Sequence, residues 1–127
     1  MTITDGIPVF TKPQNLWLEA LESGEYTQTN GCLNDENGFC CLGLGCIVYE
    51  KETGNKLPRD KEGYLIGLTL RNIQGVQEWL GLISHSGVPL NNKFSSLTVM
   101  NDHKSKTFKE ISTHVKTNPR QYLLQVQ

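Results

Sequence analysis

Three cysteines crowd one stretch, Phe39-Cys40-Cys41-Leu42-Gly43-Leu44-Gly45-Cys46, and a fourth stands at Cys32. Cys40 and Cys41 follow a polar turn. If they open a helix, its dipole and unpaired N–H groups could lower a thiol pKa and make a nucleophile. A cysteine nucleophile ordinarily needs a base, and His85, His103 and His114 lie far off in sequence without a recognisable protease context. Buried thiols, which are inert, are therefore the preferred reading, with a thiol-dependent enzyme at Cys40 or Cys41 as the alternative.

Metal and nucleotide motifs fare no better. Adjacent Cys40 and Cys41 point apart on either a helix or a strand, and the four residues between Cys41 and Cys46 make one weak pair, so no zinc site is expected. Gly43-x-Gly45 lacks the third small residue of a dinucleotide fingerprint, since Val48 stands there. The glycines instead predict close approach of another backbone to a helix. Asn34-Asp35-Glu36-Asn37-Gly38 resembles a calcium loop in composition only, because its oxygens miss the alternating positions and no bidentate glutamate follows. It reads as a solvated turn. No cofactor and no catalytic set is expected.

What remains are groups suited to binding. Tyr26, Gln28, Arg59, Tyr64, Arg71 and Lys93 are types that stack on, or neutralise, a nucleotide or phosphate. Asn101-Asp102 is a pair that caps or locks a loop through side-chain to backbone bonds. The expected ligand-binding residues are Tyr26, Gln28, Arg59, Tyr64, Arg71, Asn101 and Asp102.

These residues need a scaffold, and 127 residues suffice for one compact domain that buries roughly two-thirds of its unfolded surface. The net charge of −1 and pI near 6.3 provide no basic field, which disfavours generic nucleic-acid binding. Met1–Pro8 has no basic start followed by an apolar stretch, so it does not read as a secretory signal, and reduced thiols follow. No apolar run approaches the ~20 residues of a membrane span.

Residues 1–12 read as an extended arm. Helix is predicted from Pro13 to Glu22, stopped by Ser23-Gly24, and Asn30-Gly31 within Tyr26–Leu33 predicts a β-ribbon. Phe39–Tyr49, apolar on every face, reads as the central helix. Glu50–Gly63 is the main exposed loop and a candidate lid. Tyr64–Leu70 suits a strand, Ile73–Leu80 a helix closed by Gly81, and Leu97–Met100 a helical turn started by Ser95 or Ser96. Thr107 and Glu110 form a capping box for a helix carrying Phe108, Ile111 and Val115, which Asn118-Pro119 ends. Residues 117–127 remain as an edge strand or flexible tail. The expected fold class is α+β, with three or four short helices on a small antiparallel sheet.

Several blocks together resemble a family of short proteins encoded by tailed bacteriophages. They are Trp17-Leu18-Glu19-Ala20-Leu21-Glu22-Ser23-Gly24-Glu25-Tyr26-Thr27-Gln28, Gly31-x-Leu33, Cys40-Cys41-Leu42-Gly43-x-x-Cys46, Glu78-Trp79-Leu80-Gly81-Leu82, and Leu97-x-x-Met100-Asn101-Asp102 with Phe108-x-x-Ile111. Gly45, Cys32 and a longer polar loop after the cysteine segment depart from that pattern. The resemblance implies no activity. It implies a protein of the host cytoplasm, working by binding a host protein or a small nucleotide-like ligand, possible as a homo-oligomer. The leading expectation is an accessory factor that binds and neutralises a host component such as a nucleotide-derived defence signal. A virion structural or assembly component is a further alternative.

Overall fold

The structure, a computed structural model, describes residues 9–124, apart from the side chains of Asn72 and Gln74. Most of the expected arm, residues 1–8, and residues 125–127 of the expected tail lie outside the described residues. Among the described residues, six helices and one two-stranded antiparallel sheet give a small α+β fold. The helices outnumber the expected three or four because α4 (Leu97–Asp102) and α6 (Pro119–Tyr122) are too short to show a full apolar period.

Helix α1 (Lys12–Ser23) begins at a Thr11–Gln14 capping box and ends at Gly24 in the left-handed conformation. Its Trp17 is fully buried and donates from Nε1 to the Cys41 carbonyl at 2.9 Å. Helix α2 (Cys41–Thr53) is the centre of the molecule, contacting α1, α3 (Gln74–Leu80) and α4. It carries the cysteine segment, and Cys41 through Cys46 are all buried. A Cβ on Gly43 would lie 1.8 Å from the Leu33 carbonyl oxygen, so the backbone approach expected there is real. Gly45 instead faces the side chains of Leu80 and Trp17. Helix α5 (Phe108–Thr117) has the expected Thr107–Glu110 capping box and buries Phe108, Ile111, Ser112 and Val115, the pattern of an amphipathic surface helix.

The sheet lies elsewhere than Asn30-Gly31 predicts. Strands β1 (Asn34–Asp35) and β2 (Gly38–Phe39) pair Asn34 with Phe39 and Asp35 with Gly38, so the polar stretch is itself the hairpin. Asp35 shapes the turn by accepting from the Asn37 N–H at 2.8 Å, and Asn34 Nδ2 donates to the Gly38 carbonyl at 2.9 Å. Gly31 has φ 86° and its N–H is held by Asp102 Oδ1 at 3.0 Å. The Tyr26–Leu33 segment forms one parallel bridge with the sheet, Gln28 to Phe39, and Thr29 Oγ1 donates to Asp35 Oδ2 at 2.9 Å.

Three further boundaries differ. Helix α2 runs past Glu50 to Thr53, where Gly54 caps it with φ 78°, which shortens the exposed loop. Tyr64–Leu70 makes only an isolated bridge, Arg59 to Leu65, before a 3-10 turn at Leu70–Asn72. Gly67, at φ 115°, bends the segment while its carbonyl accepts from the Leu33 N–H at 3.0 Å. In place of an edge strand, Pro119 starts α6, followed by a Leu82–Leu123 bridge. Tyr122 is fully buried, and Leu124 ties the segment back: its N–H donates to Gly81 at 2.6 Å and its carbonyl accepts from buried Gln14 Nε2 at 2.9 Å. No helix among the described residues is long and apolar enough to cross a membrane.

Candidate functional site

The thiols lie where the sequence suggested reactivity, but burial decides their state. Cys40 is the N-cap of α2, and its Sγ accepts from the Gly43 N–H at 3.3 Å. Such bonds favour a thiolate, yet desolvation outweighs them and pushes Cys40 up to about 12. Burial likewise raises Cys46 to about 12 and Cys41 well above the ordinary thiol value. The Cys41 thiol donates toward the Leu97 carbonyl at 3.7 Å. Half-buried Cys32 is raised by desolvation and then by Asp35, toward whose Oδ2 it donates at 3.6 Å. Among the described residues no histidine hydrogen-bonds a cysteine, and no three His, Cys, Asp or Glu side chains are grouped to hold a metal.

Asn101, at the end of α4, is buried and uses its amide fully. Its Oδ1 accepts from Gln28 Nε2 at 2.8 Å and from the Cys41 N–H at 3.2 Å, while Nδ2 donates to the Thr29 carbonyl at 2.8 Å and to Asp102 Oδ1 at 2.9 Å. Asn101 and Asp102 thus lock the 28–31 segment to the start of α2, the side-chain to backbone role expected of the pair. Gln28 Nε2 also donates to the Lys106 carbonyl at 2.8 Å.

Arg59 is committed inside the fold. Its Nη1 and Nη2 meet Glu50 Oε2 and Oε1 at 2.6 and 2.7 Å, a bidentate pair, and Glu50 also accepts from the Leu57 N–H at 2.6 Å. The guanidinium beside it lowers the Glu50 carboxyl below its ordinary value. Asp60 further secures the loop by accepting from the Glu62 and Tyr64 N–H groups, each at 3.0 Å. The segment expected to be a lid is pinned at its base.

The residues expected to bind ligand consequently divide. Tyr26, Arg59 and Tyr64 line one hollow of about 510 Å³ beside the hairpin, together with the acidic Glu25, Asp35 and Glu36. Its sole basic lining residue is Arg59, already neutralised by Glu50. Lys51 donates to the Tyr26 hydroxyl, with its ammonium 4.9 Å from the ring centroid. Gln28 and Asn101 line a second, smaller hollow of about 200 Å³ with Lys106, and Asp102 bonds to Asn101 beside it. Arg71 is exposed in the 3-10 turn and lines neither. Lys93 is also exposed, its N–H bonded to Asn91 Oδ1 at 2.9 Å.

A third hollow, of about 450 Å³, runs along the outer face of α5 and is lined by Lys106, Lys109, Thr113, His114 and Thr117, with Glu110, Asn118 and Met100. None of these side chains is among the residues expected to bind ligand. Part of the pattern is visible in the sequence: once Thr107 and Glu110 fix the helix start, residues 109, 113 and 117 recur at four-residue spacing on one face of α5, whereas Lys106 precedes the N-cap and follows no such spacing. The apolar stripe of the same helix, Phe108, Ile111 and Val115, is the stronger signal and faces the core.

A family model described as Domain of unknown function (DUF8296) matches residues 11–119. No curated protein and no solved structure matches the chain.

Proposed function

This chain belongs to the family described as Domain of unknown function (DUF8296), and from that premise we propose that it acts by binding rather than by turnover. It is a bacteriophage accessory protein that captures and neutralises a host component in the host cytoplasm, foremost a small nucleotide-derived signal. The observation that carries this reading is the state of the thiols. Cys40 and Cys41 were the best candidates for covalent chemistry, and burial holds both protonated and out of reach. The open hollows beside the hairpin and along α5 are instead of small-molecule size. The phage assignment rests on the resemblance of the sequence blocks from Trp17 to Ile111.

Native mass spectrometry of the protein purified from infected host cells tests the reading. A bound small molecule or host protein is expected. A bare chain from those cells, or recovery of the protein as a component of purified virions, would overturn it.

A further inference from the structure

Lys106 and Lys109 both line the α5 hollow, yet neither joins an ion pair among the described residues, where the pairs are Lys12–Glu52, Arg59–Glu50 and Lys116–Glu22. The lining carboxylate, Glu110, is already engaged: its Oε1 accepts from the Thr107 N–H at 2.9 Å in the capping box. That carboxylate still carries its charge and feels Lys106, but the two ammonium groups of the hollow outweigh it.

The backbone that presents Lys106 is fixed. Ser105 adopts φ 52°, a left-handed conformation that costs a residue with a Cβ and occurs here at no other non-glycine among the described residues. Beyond that turn the Lys106 N–H donates to the Met100 carbonyl at 3.0 Å, and its own carbonyl accepts from Gln28 Nε2 at 2.8 Å. Asn101, by accepting from the same Gln28 nitrogen, orients it. Gln28 and Asn101 are thus positioning residues for this lysine.

His114 has a defined neutral form. The Tyr122 hydroxyl gives its one proton to the Ser95 carbonyl at 2.8 Å, so toward His114, also at 2.8 Å, the phenol oxygen can only accept. The neutral ring must carry its proton on Nε2. Its Nδ1 then holds a lone pair, with no partner among the described residues. Burial, and next the Lys106 charge, keep the ring below its ordinary pKa. The groups around it are Lys106 from the preceding loop, Tyr122 from α6, the Phe94 ring at 5.7 Å between centroids, and Lys109 and Glu110 one turn earlier on α5.

We infer that the α5 hollow is a binding site for a small molecule bearing a phosphate monoester, with the phosphate held by Lys106 and Lys109. The two ammonium groups draw in a dianion against the one Glu110 carboxylate, and the Thr113 hydroxyl adds a donor on the same face, the Thr117 hydroxyl being spent on the Thr113 carbonyl at 2.7 Å. The hollow, at about 450 Å³, leaves room beyond the phosphate for a sugar or base. Met100 offers that part an apolar surface. The inference rests on the binding reading above and gives it a place and a ligand chemistry.

The test follows the His114 ring by NMR in the full chain during titration with inorganic phosphate, AMP and adenosine. A bound phosphate faces the charge that now repels the imidazolium, so phosphate and AMP should raise the His114 pKa saturably, while adenosine leaves it unchanged. The double substitution K106Q/K109Q should weaken AMP at least tenfold, and K12Q, at a lysine that pairs with Glu52 and does not line the hollow, should not. If AMP binds with His114 unmoved and K106Q/K109Q matches the unaltered protein, the site is overturned while the binding reading stands. If neither phosphate nor AMP binds, the site is overturned, and the native mass measurement alone decides the broader reading.

Discussion

Helices α2 and α5 start in the same way and end up with opposite chemistry. Each has an N-cap side chain that accepts an N–H from three residues on: Cys40 Sγ from Gly43 at 3.3 Å, Thr107 Oγ1 from Glu110 at 3.1 Å. At α2 the helix start is enclosed, and even the Cys41 N–H is consumed by buried Asn101. At α5 the cap is exposed, with Lys106 and Lys109 in solvent on either side of it. A helix start can stabilise an anion only if the anion can reach it without losing its solvation. Burial, rather than residue reactivity, thus selects where this molecule can do chemistry.

The enclosed start should fail first when crowded. Gly43→Ala places a methyl group against the Leu33 carbonyl, and we expect a loss of about 3 kcal/mol or outright unfolding in urea titrations. Next comes Asn101→Ala, which strands the Cys41 N–H and the Thr29 carbonyl. A cost of about 2 kcal/mol should appear in the same titrations, along with faster thiol modification at Cys41 if the enclosure has opened. The two caps differ less. Thr107→Ala should cost about 1 kcal/mol, and Cys40→Ala less at the level of the cap, because sulfur is the weaker acceptor.

The smallest effect is the dependence on pH. His114 has a folded pKa below its ordinary 6.5, so the stability it contributes is present above about pH 6.5 and lost as pH falls through the folded value. His114→Gln should flatten the stability profile in that window only. Glu50, lowered by Arg59 from its ordinary 4.5, acts in the same direction but in a separate, more acidic window, and Glu50→Gln should flatten that one.

What the sequence made legible was local. The Thr107–Glu110 box, the Ser96 cap and the left-handed stops at Gly24 and Gly81 each depend on residues within a few positions. Gly43 betrayed a close contact because two glycines inside an apolar helix need a reason. Long-range competition stayed hidden. Asn30-Gly31 is a strong hairpin signal, but Asp102, 71 residues away, claims the Gly31 N–H, while Asp35 turns the chain four residues later. For the candidate site the same holds: Arg59 looked free until Glu50 met it, and Gln28 and Asn101 were singled out without the lysine they hold. Lys106 itself was missed because nothing local distinguishes it from any surface lysine.

The bond from Gln14 to the Leu124 carbonyl spans 110 positions of the chain. During synthesis, α1 and α2 emerge long before residue 124, and until that residue arrives the buried Gln14 amide and the slot for Tyr122 have no partners. A nascent chain can therefore assemble its middle but cannot seal it. A chain interrupted before this stretch would keep that part of its core exposed, open to chaperones and proteases.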